Sequence, residues 1–228
     1  MALPSYKTIE LRLNDGIGHL LMNQPPSNKM TLEFFREFSE AVDYIALDNS
    51  FKALVISGNG RHFSSGAELP SLLEEIHSGS IVRNGQVVEV PPLLTSNYES
   101  FLKLEQFEIP VITAIRGVCL GSALELTLFS HFRFCGEDAV FGLPETSFNL
   151  LPGLGGVKKM SSLIGRSKTL ELVLKAGTFS ASEALAMKIV HRVLPKRELV
   201  KSAIEFAQFS ANDFRKEKVV LYLKKYFA

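Results

Sequence analysis

Four features of the sequence have residue types and spacings that suit chemistry. They are the turns Phe63–Leu69 (FSSGAEL) and Gly117–Leu126 (GVCLGSALEL), and the glutamates Glu125 and Glu145. Each turn follows a buried-strand pattern and leads into a helical one. The first amides of a helix lack partners within it and carry the positive end of its dipole. Two such turns side by side can aim two N–H groups at one carbonyl oxygen, which stabilises negative charge developing there. Gly66, Ala67, Gly121, Ser122 and Ala123 are small enough to let a substrate approach the backbone. Two tight strand-to-helix turns, with glycine serving only packing, account for the same residues, and spacing alone favours that simpler account.

Glu125 falls three residues after Ser122, in the first turn of its helical pattern, where the dipole favours a carboxylate. Its neighbours Leu124, Leu126 and Leu128 are an apolar setting for a charge. Glu145 follows another apolar stretch, Phe141–Pro144 (FGLP). Two carboxylates against one apolar pocket can divide into acid and base roles. Capping or ion pairing explains each glutamate equally well at this level. Gly153–Gly156 (GLGG) precedes a helix and could cradle a phosphate, but it lacks the dinucleotide and P-loop spacings. Ser122 is a nucleophile by type only, without a G-x-S-x-G turn or an assignable histidine. His19, His62, His77, His131 and His191 have no metal-ligand spacing and read as packing or surface residues.

Elements that would position these groups are legible in outline. Thr8–Leu13 and Ile17–Met22 predict a hairpin, broken at Gly16. Thr31 is a helix cap, and Leu32, Phe35, Phe38, Ala41, Val42 and Ile45 predict a helix running to Leu47. Ala53–Ser57 and Val111–Ile115 are continuous apolar runs, expected as strands buried on both faces. A short helix is expected from Leu69, an irregular stretch over 77–94, and a helix over Thr95–Gln106. An apolar helix follows from Ser122, then short strands at Phe132–Cys135 and Ala139–Phe141. Helical patterns dominate from Gly156 onward, with Leu170, Leu172, Val173 and Leu174 as a core stripe and a last helix over Phe214–Tyr226. The fold class is therefore α/β, with most helices in the second half.

Composition bounds the function. At 228 residues the chain reads as one domain with, at most, a small appendage. The hydrophobic fraction of 46% and charged fraction of 21% are those of a globular protein. The formal net charge of +1 argues against a large nucleic-acid footprint. Cys119 and Cys135 sit in apolar runs, as reduced buried thiols do. No secretory leader and no apolar run near the roughly 18–20 residues of a membrane span is visible, so a soluble, cytoplasmic location is expected.

Taken in order, these segments resemble the crotonase superfamily, the enoyl-CoA hydratase/isomerase family, over about Ile9 to Lys224. Asn23-Gln24-Pro25 through Asn28-Lys29-Met30 is similar to its N-x-P…N-A-L segment, and His62–Leu69 to its F-x-A-G-A-D-L segment. Gly117–Leu126 resembles G-x-x-x-G-G-G-x-E-L, and Ala139–Glu145 with Leu151–Gly156 resembles F-G-x-P-E…P-G-x-G-G. Phe179–Val193 is similar to A-x-E-A-x-x-x-G-L-V.

The resemblance implies a spiral of ββα turns that brings the two glycine turns together. It implies a spiral core over 1–195 and a short C-terminal helical segment over 196–228, truncated relative to the family, whose last helices would begin at about Tyr226–Ala228. It implies that the amides of Ala67 and Ser122 form an oxyanion hole for an acyl-CoA thioester, and that Glu125 and Glu145 are the two catalytic glutamates. Ser27, Asn28, Lys29, Gly66, Glu68, Leu69 and Gly121 would line the CoA and the acyl group, and residues 71–106 would shape the acyl pocket. The CoA thioester is then the substrate, no metal or other cofactor is implied, and a homo-oligomer, a trimer or a dimer of trimers, is expected. Hydration of a 2-enoyl-CoA in fatty acid metabolism is the leading activity implied. Isomerisation, hydrolysis or decarboxylation on the same scaffold, and a non-catalytic acyl-CoA-binding homologue, are the alternatives. The sequence departs from the pattern at Gly121-Ser122-Ala123, at Glu68, at Pro70 and at His131.

Overall fold

The computed structural model describes residues 3–68 and 92–213, together with 70, 74, 82–83 and 86–87. The chain enters through a hairpin of β1 (Ile9–Asn14) and β2 (Ile17–Met22), paired from Ile9↔Met22 to Asn14↔Ile17. Asp15 and Gly16 close it with φ of 50° and 81°, the two positive values that a tight hairpin turn demands. Helix α1 (Leu32–Leu47) starts where the Thr31 hydroxyl accepts the Phe34 amide, and it buries Phe34, Phe35, Phe38, Ala41, Val42 and Ile45. The apolar runs become β3 (Ala53–Gly58) and β6 (Val111–Ile115), and every residue of both strands is buried.

Between those strands lie two short paired strands, β4 (Val82–Arg83) and β5 (Gln86–Val87), inside the stretch expected to be irregular. Helix α2 (Pro92–Gln106) follows. After β6 come β7 (Val118–Leu120), helix α3 (Ser122–Leu128), β8 (Phe132–Gly136) and β9 (Val140–Gly142). A 3₁₀ turn over Glu145–Phe148 leads to α4 (Gly156–Ile164) and α5 (Arg166–Lys175). The chain continues through β10 (Thr178–Ser180), α6 (Ala181–Ala186), β11 (Arg192–Leu194) and α7 (Leu199–Asp213). The short helix expected from Leu69 and the helix expected over Phe214–Tyr226 lie largely or wholly outside the described residues.

The main sheet has the order β1-β2-β3-β6-β8-β11, parallel throughout except for the β1 edge. A second sheet, β10-β9-β7, pairs β7 parallel and β10 antiparallel to β9. One face of the main sheet packs on α1, α2 and α3 through Phe34, Phe38, Phe101 and Phe129. The other face is covered by α7, whose Leu199, Ala203 and Ala207 meet Val55, Ala114 and Phe134. Burying a side chain of leucine or phenylalanine size stabilises the fold by about 1.5–3 kcal/mol, so both layers hold the sheet. The expected core stripe on α5 is only partly core: Val173 is buried, whereas Leu170 and Leu174 are 47% and 74% exposed. Cys119 and Cys135 are free and buried. Among the described residues, no helix is long and apolar enough to cross a membrane.

Candidate active site

The two glycine turns meet because β7 zips the first of them to the second. The Ser64 amide donates to the Val118 carbonyl at 3.0 Å and the Leu120 amide to the Ser64 carbonyl at 3.2 Å. On its other side the first turn is laced to the segment after the hairpin. The Ser65 amide donates to the Ser27 carbonyl, the Met30 amide to Gly66 and the Glu68 amide to Met30. Gly66 adopts φ 89°, and a Cβ there would stand 2.5 Å from the Leu120 carbonyl oxygen and 3.6 Å from the Ser122 amide nitrogen. Glycine is therefore required for the two turns to touch.

Ala67 and Ser122 both line one cavity of about 330 Å³. Bridging to Met30 uses the Gly66 carbonyl and the Glu68 amide, leaving the Ala67 amide turned away from that neighbour. Ser122 is the first residue of α3, after the cap Gly121, so its amide has no place in the helical ladder. Among the described residues neither amide donates a hydrogen bond within the protein. The arrangement leaves two N–H groups, in residues on one cavity lined mainly by apolar side chains, without partners among the described residues.

Both glutamates face the same cavity. Glu125 is only 1% exposed. Its Oε1 accepts the amides of Leu154 and Gly156, each at 2.9 Å. Burial raises its pKa to about 7, the amides pull it down in part, and nearby Glu145 pushes it up again. Glu145, in the 3₁₀ turn, has its Oε1 against Gly121, where an added Cβ would lie 2.9 Å away. Its Oε2 is buried without a hydrogen-bond partner, and burial raises its pKa too. Two carboxylates with raised pKa values, on the same cavity as two amide donors, can exchange protons with a molecule whose carbonyl oxygen sits on the amides.

The Gly153–Gly156 loop cradles an anion, but a protein one. Its amides at the start of α4 hold the Glu125 carboxylate, so the phosphate considered for it is replaced by a side chain. Glu125 is thus steadied by the N-terminus of a second helix in addition to its place on its own.

The remaining expected site residues divide. Gly66 and Gly121 line the cavity. Ser27 and Lys29 run beside the first turn rather than along the cavity wall, with Lys29 exposed. Asn28 is buried, and its side chain is fully engaged. It accepts the Gln24 amide and donates to the carbonyls of Asn59, His62 and Phe63. Glu68 follows Ala67 in the same laced turn, and Leu69 lies outside the described residues. Of the histidines, His62, His131 and His191 each accept a backbone amide through Nδ1, and His19 shares a hydrogen bond with Ser57; His77 lies outside the described residues. Asn97, on α2, lines the cavity and was not among the expected site residues. A helical phase shared with buried Phe101 and Leu104 is the signal that places it on the inner face.

This architecture is the crotonase fold. An enoyl-CoA hydratase structure from Bacillus anthracis aligns with a TM-score of 0.78 at 28% identity, covering 90% of this chain and 77% of that one. A putative enoyl-CoA hydratase from Thermobifida fusca, solved with CoA, aligns with a TM-score of 0.80 at 25% identity, covering 96% and 86%. Residues 12–226 match the enoyl-CoA hydratase/isomerase family, and the chain belongs to that family. A peroxisomal Delta(3,5)-Delta(2,4)-dienoyl-CoA isomerase from Arabidopsis thaliana is 32% identical over 85% of this chain and 72% of its own length. The fatty acid oxidation complex subunit alpha of Shewanella frigidimarina is 36% identical over 89% of this chain, which spans only 28% of that protein.

Proposed function

We propose that this protein hydrates a 2-enoyl-CoA. The supporting observation is the convergence of Glu125 and Glu145 on one cavity, both shifted toward protonation, with the amides of Ala67 and Ser122 on the same cavity. The thioester carbonyl oxygen would accept both amides. One carboxylate takes a proton from water as the water oxygen bonds Cβ, and the double-bond electrons move onto the carbonyl oxygen as an enolate. The other glutamic acid delivers its proton to Cα as the enolate collapses. Water is added across the bond, and the two glutamates exchange protonation states before the next turnover. A pKa near 7 suits a group that must both take and give a proton near neutrality.

The CoA moiety is placed along Ser27–Lys29 and the Ala67–Leu69 turn, as the family resemblance implies. By the same resemblance the protein is a homo-oligomer, a trimer or a dimer of trimers, which sedimentation distinguishes. Replacing Glu125 or Glu145 with Gln is expected to lower crotonyl-CoA hydration by about 10²–10⁴-fold. Undiminished turnover in both variants sinks the assignment.

Double-bond isomerisation is the second reading. It needs only one base, and Glu145 with its unpartnered Oε2 meets that need. The name of the Arabidopsis relative points the same way. Products from a 2-enoyl-CoA and a 3-enoyl-CoA, resolved chromatographically, separate the two: hydration of the former supports the first reading, and conversion of the latter alone supports the second.

A further inference from the structure

Among the described residues that line the cavity, Asn97 is a buried polar side chain that neither proton transfer nor oxyanion binding uses. Asn97 is 3% exposed, and its Nδ2 is buried with no hydrogen-bond partner. It reaches from α2 to a cavity whose apolar lining includes Phe35 of α1, Leu120, Phe148 and Leu154. A buried amide without a partner destabilises the folded protein, and an apolar residue at that position on the helix would avoid the cost. On the same helix Tyr98 packs edge-on against Phe129, Phe101 and Leu104 are fully buried, and the other buried polar residue nearby, Ser100, is satisfied by Ser39 and the Ser96 carbonyl. Asn97, unlike Ser100, carries its unpartnered amide to the point where the helix meets the cavity.

We infer that Asn97 makes the acyl pocket selective for an acyl chain carrying a neutral oxygen substituent, a hydroxyl or a keto group, over a plain alkyl chain. This rests on the acyl-CoA reading of the cavity. An acceptor oxygen on the chain would take the orphaned Nδ2–H bond. A plain alkyl chain would cover the amide and leave it unpaired. Sites built to hydrogen-bond a substrate oxygen discriminate strongly against analogues that lack it, because their own polar groups are stranded. A carboxylate on the chain is disfavoured by the charges. Among the described residues the cavity lining holds Glu125 and Glu145 and no lysine, arginine or histidine.

The test reads binding separately from chemistry. Hexanoyl-CoA is titrated calorimetrically into the protein beside its hydroxyhexanoyl and oxohexanoyl counterparts, the oxygen placed on each distal carbon in turn, and beside adipoyl-CoA as the anionic arm. At least one neutral oxygenated chain is expected to bind about tenfold or more tighter than hexanoyl-CoA. Asn97→Leu and Asn97→Ala are each expected to erase that ratio. Equal affinities in the unaltered protein overturn the inference whatever the variants do, as does adipoyl-CoA binding tightest. A ratio that survives in a folded Asn97 variant also overturns it. Crotonyl-CoA hydration, assayed in parallel, reports on the proposed reaction alone: its absence with the binding preference intact removes hydration and keeps the pocket, and the converse removes the pocket preference and keeps hydration.

Discussion

Glu125 and Gly156 meet where α3 faces the start of α4. The Gly156 amide donates to Glu125 Oε1 at 2.9 Å, and a Cβ on Gly156 would fall 2.4 Å from Glu125 Cγ. Glycine at this position lets a helix N-terminus close directly onto a carboxylate, which orients the carboxylate without adding a positive side chain. Gly156→Ala is expected to displace Glu125. A shift near 1 Å in a reacting group can cost about 100-fold in rate, and overpacking a filled core costs about 1–3 kcal/mol. Hydration kinetics and urea unfolding measure the two effects, and a variant unchanged in both would show that Glu125 is not held from this side.

The titration of Glu125 gives a stability signature. Burial raises its pKa from 4.5 in the unfolded chain to about 7 in the folded protein. The folded state therefore binds the proton more tightly, so the contribution of Glu125 to stability is greatest below pH 4.5 and falls as pH rises toward 7. Above that range the loss is complete, at about 3 kcal/mol for a shift of this size. Glu145 contributes a decline of the same sign, so the informative quantity is the difference between the unaltered protein and Glu125→Gln. That difference should grow in favour of the variant across this range and then level off. Urea midpoints at a series of pH values measure it, and a flat difference would mean that the carboxylate ionises freely in the fold.

The extent to which the sequence revealed this arrangement depended on length and periodicity. Sixteen residues of α1, with a threonine cap and repeated apolar positions, are legible. So are β3 and β6, because burial on both faces leaves an unbroken apolar run. The three-residue strands β7, β10 and β11 are not, since so short a segment has no measurable period. Yet β7 is what joins the two glycine turns, and its pairing with Ser64 spans more than fifty residues of chain. Glu125 and Glu145 could be picked out by their apolar neighbours. That the Gly153–Gly156 loop serves Glu125 rather than a phosphate required the tertiary contact. Asn97 escaped notice because one asparagine on a helix is ordinary until its inner face is known.

Asn28 locks the first glycine turn to the segment behind it. Its Nδ2 lies within hydrogen-bond distance of three carbonyl oxygens, those of Asn59, His62 and Phe63, at 2.8, 2.9 and 3.2 Å. Asn28→Asp keeps shape and tolerates the positive φ, but sets an anionic acceptor against three acceptors. A loss of at least about 3 kcal/mol is expected at neutral pH. The introduced acid would have its pKa raised in the fold, so stability should recover on acidification, when the carboxyl can again donate. Unfolding curves at neutral and acidic pH test this, and equal losses at both would assign the effect to something other than the donor.

Ser122 provides the sharpest test of the oxyanion proposal, because it occupies the first position of α3. Proline is well tolerated there: its fixed φ suits a helix start, and the amide it lacks has no partner in the helix. Ser122→Pro therefore removes one proposed donor while α3 retains its hydrogen bonds. Loss of one such donor lowers kcat by about 10²–10³-fold, and the proline ring adds a steric block at the same point. Ser122→Ala removes the hydroxyl but keeps the amide, and is expected to cost less than about tenfold. The pair also disposes of a nucleophilic serine. A covalent acyl-enzyme mechanism through Oγ would be abolished in the alanine variant, whereas amide donation would be abolished only in the proline variant. Circular dichroism confirming a folded proline variant, together with crotonyl-CoA hydration rates for both, decides between them.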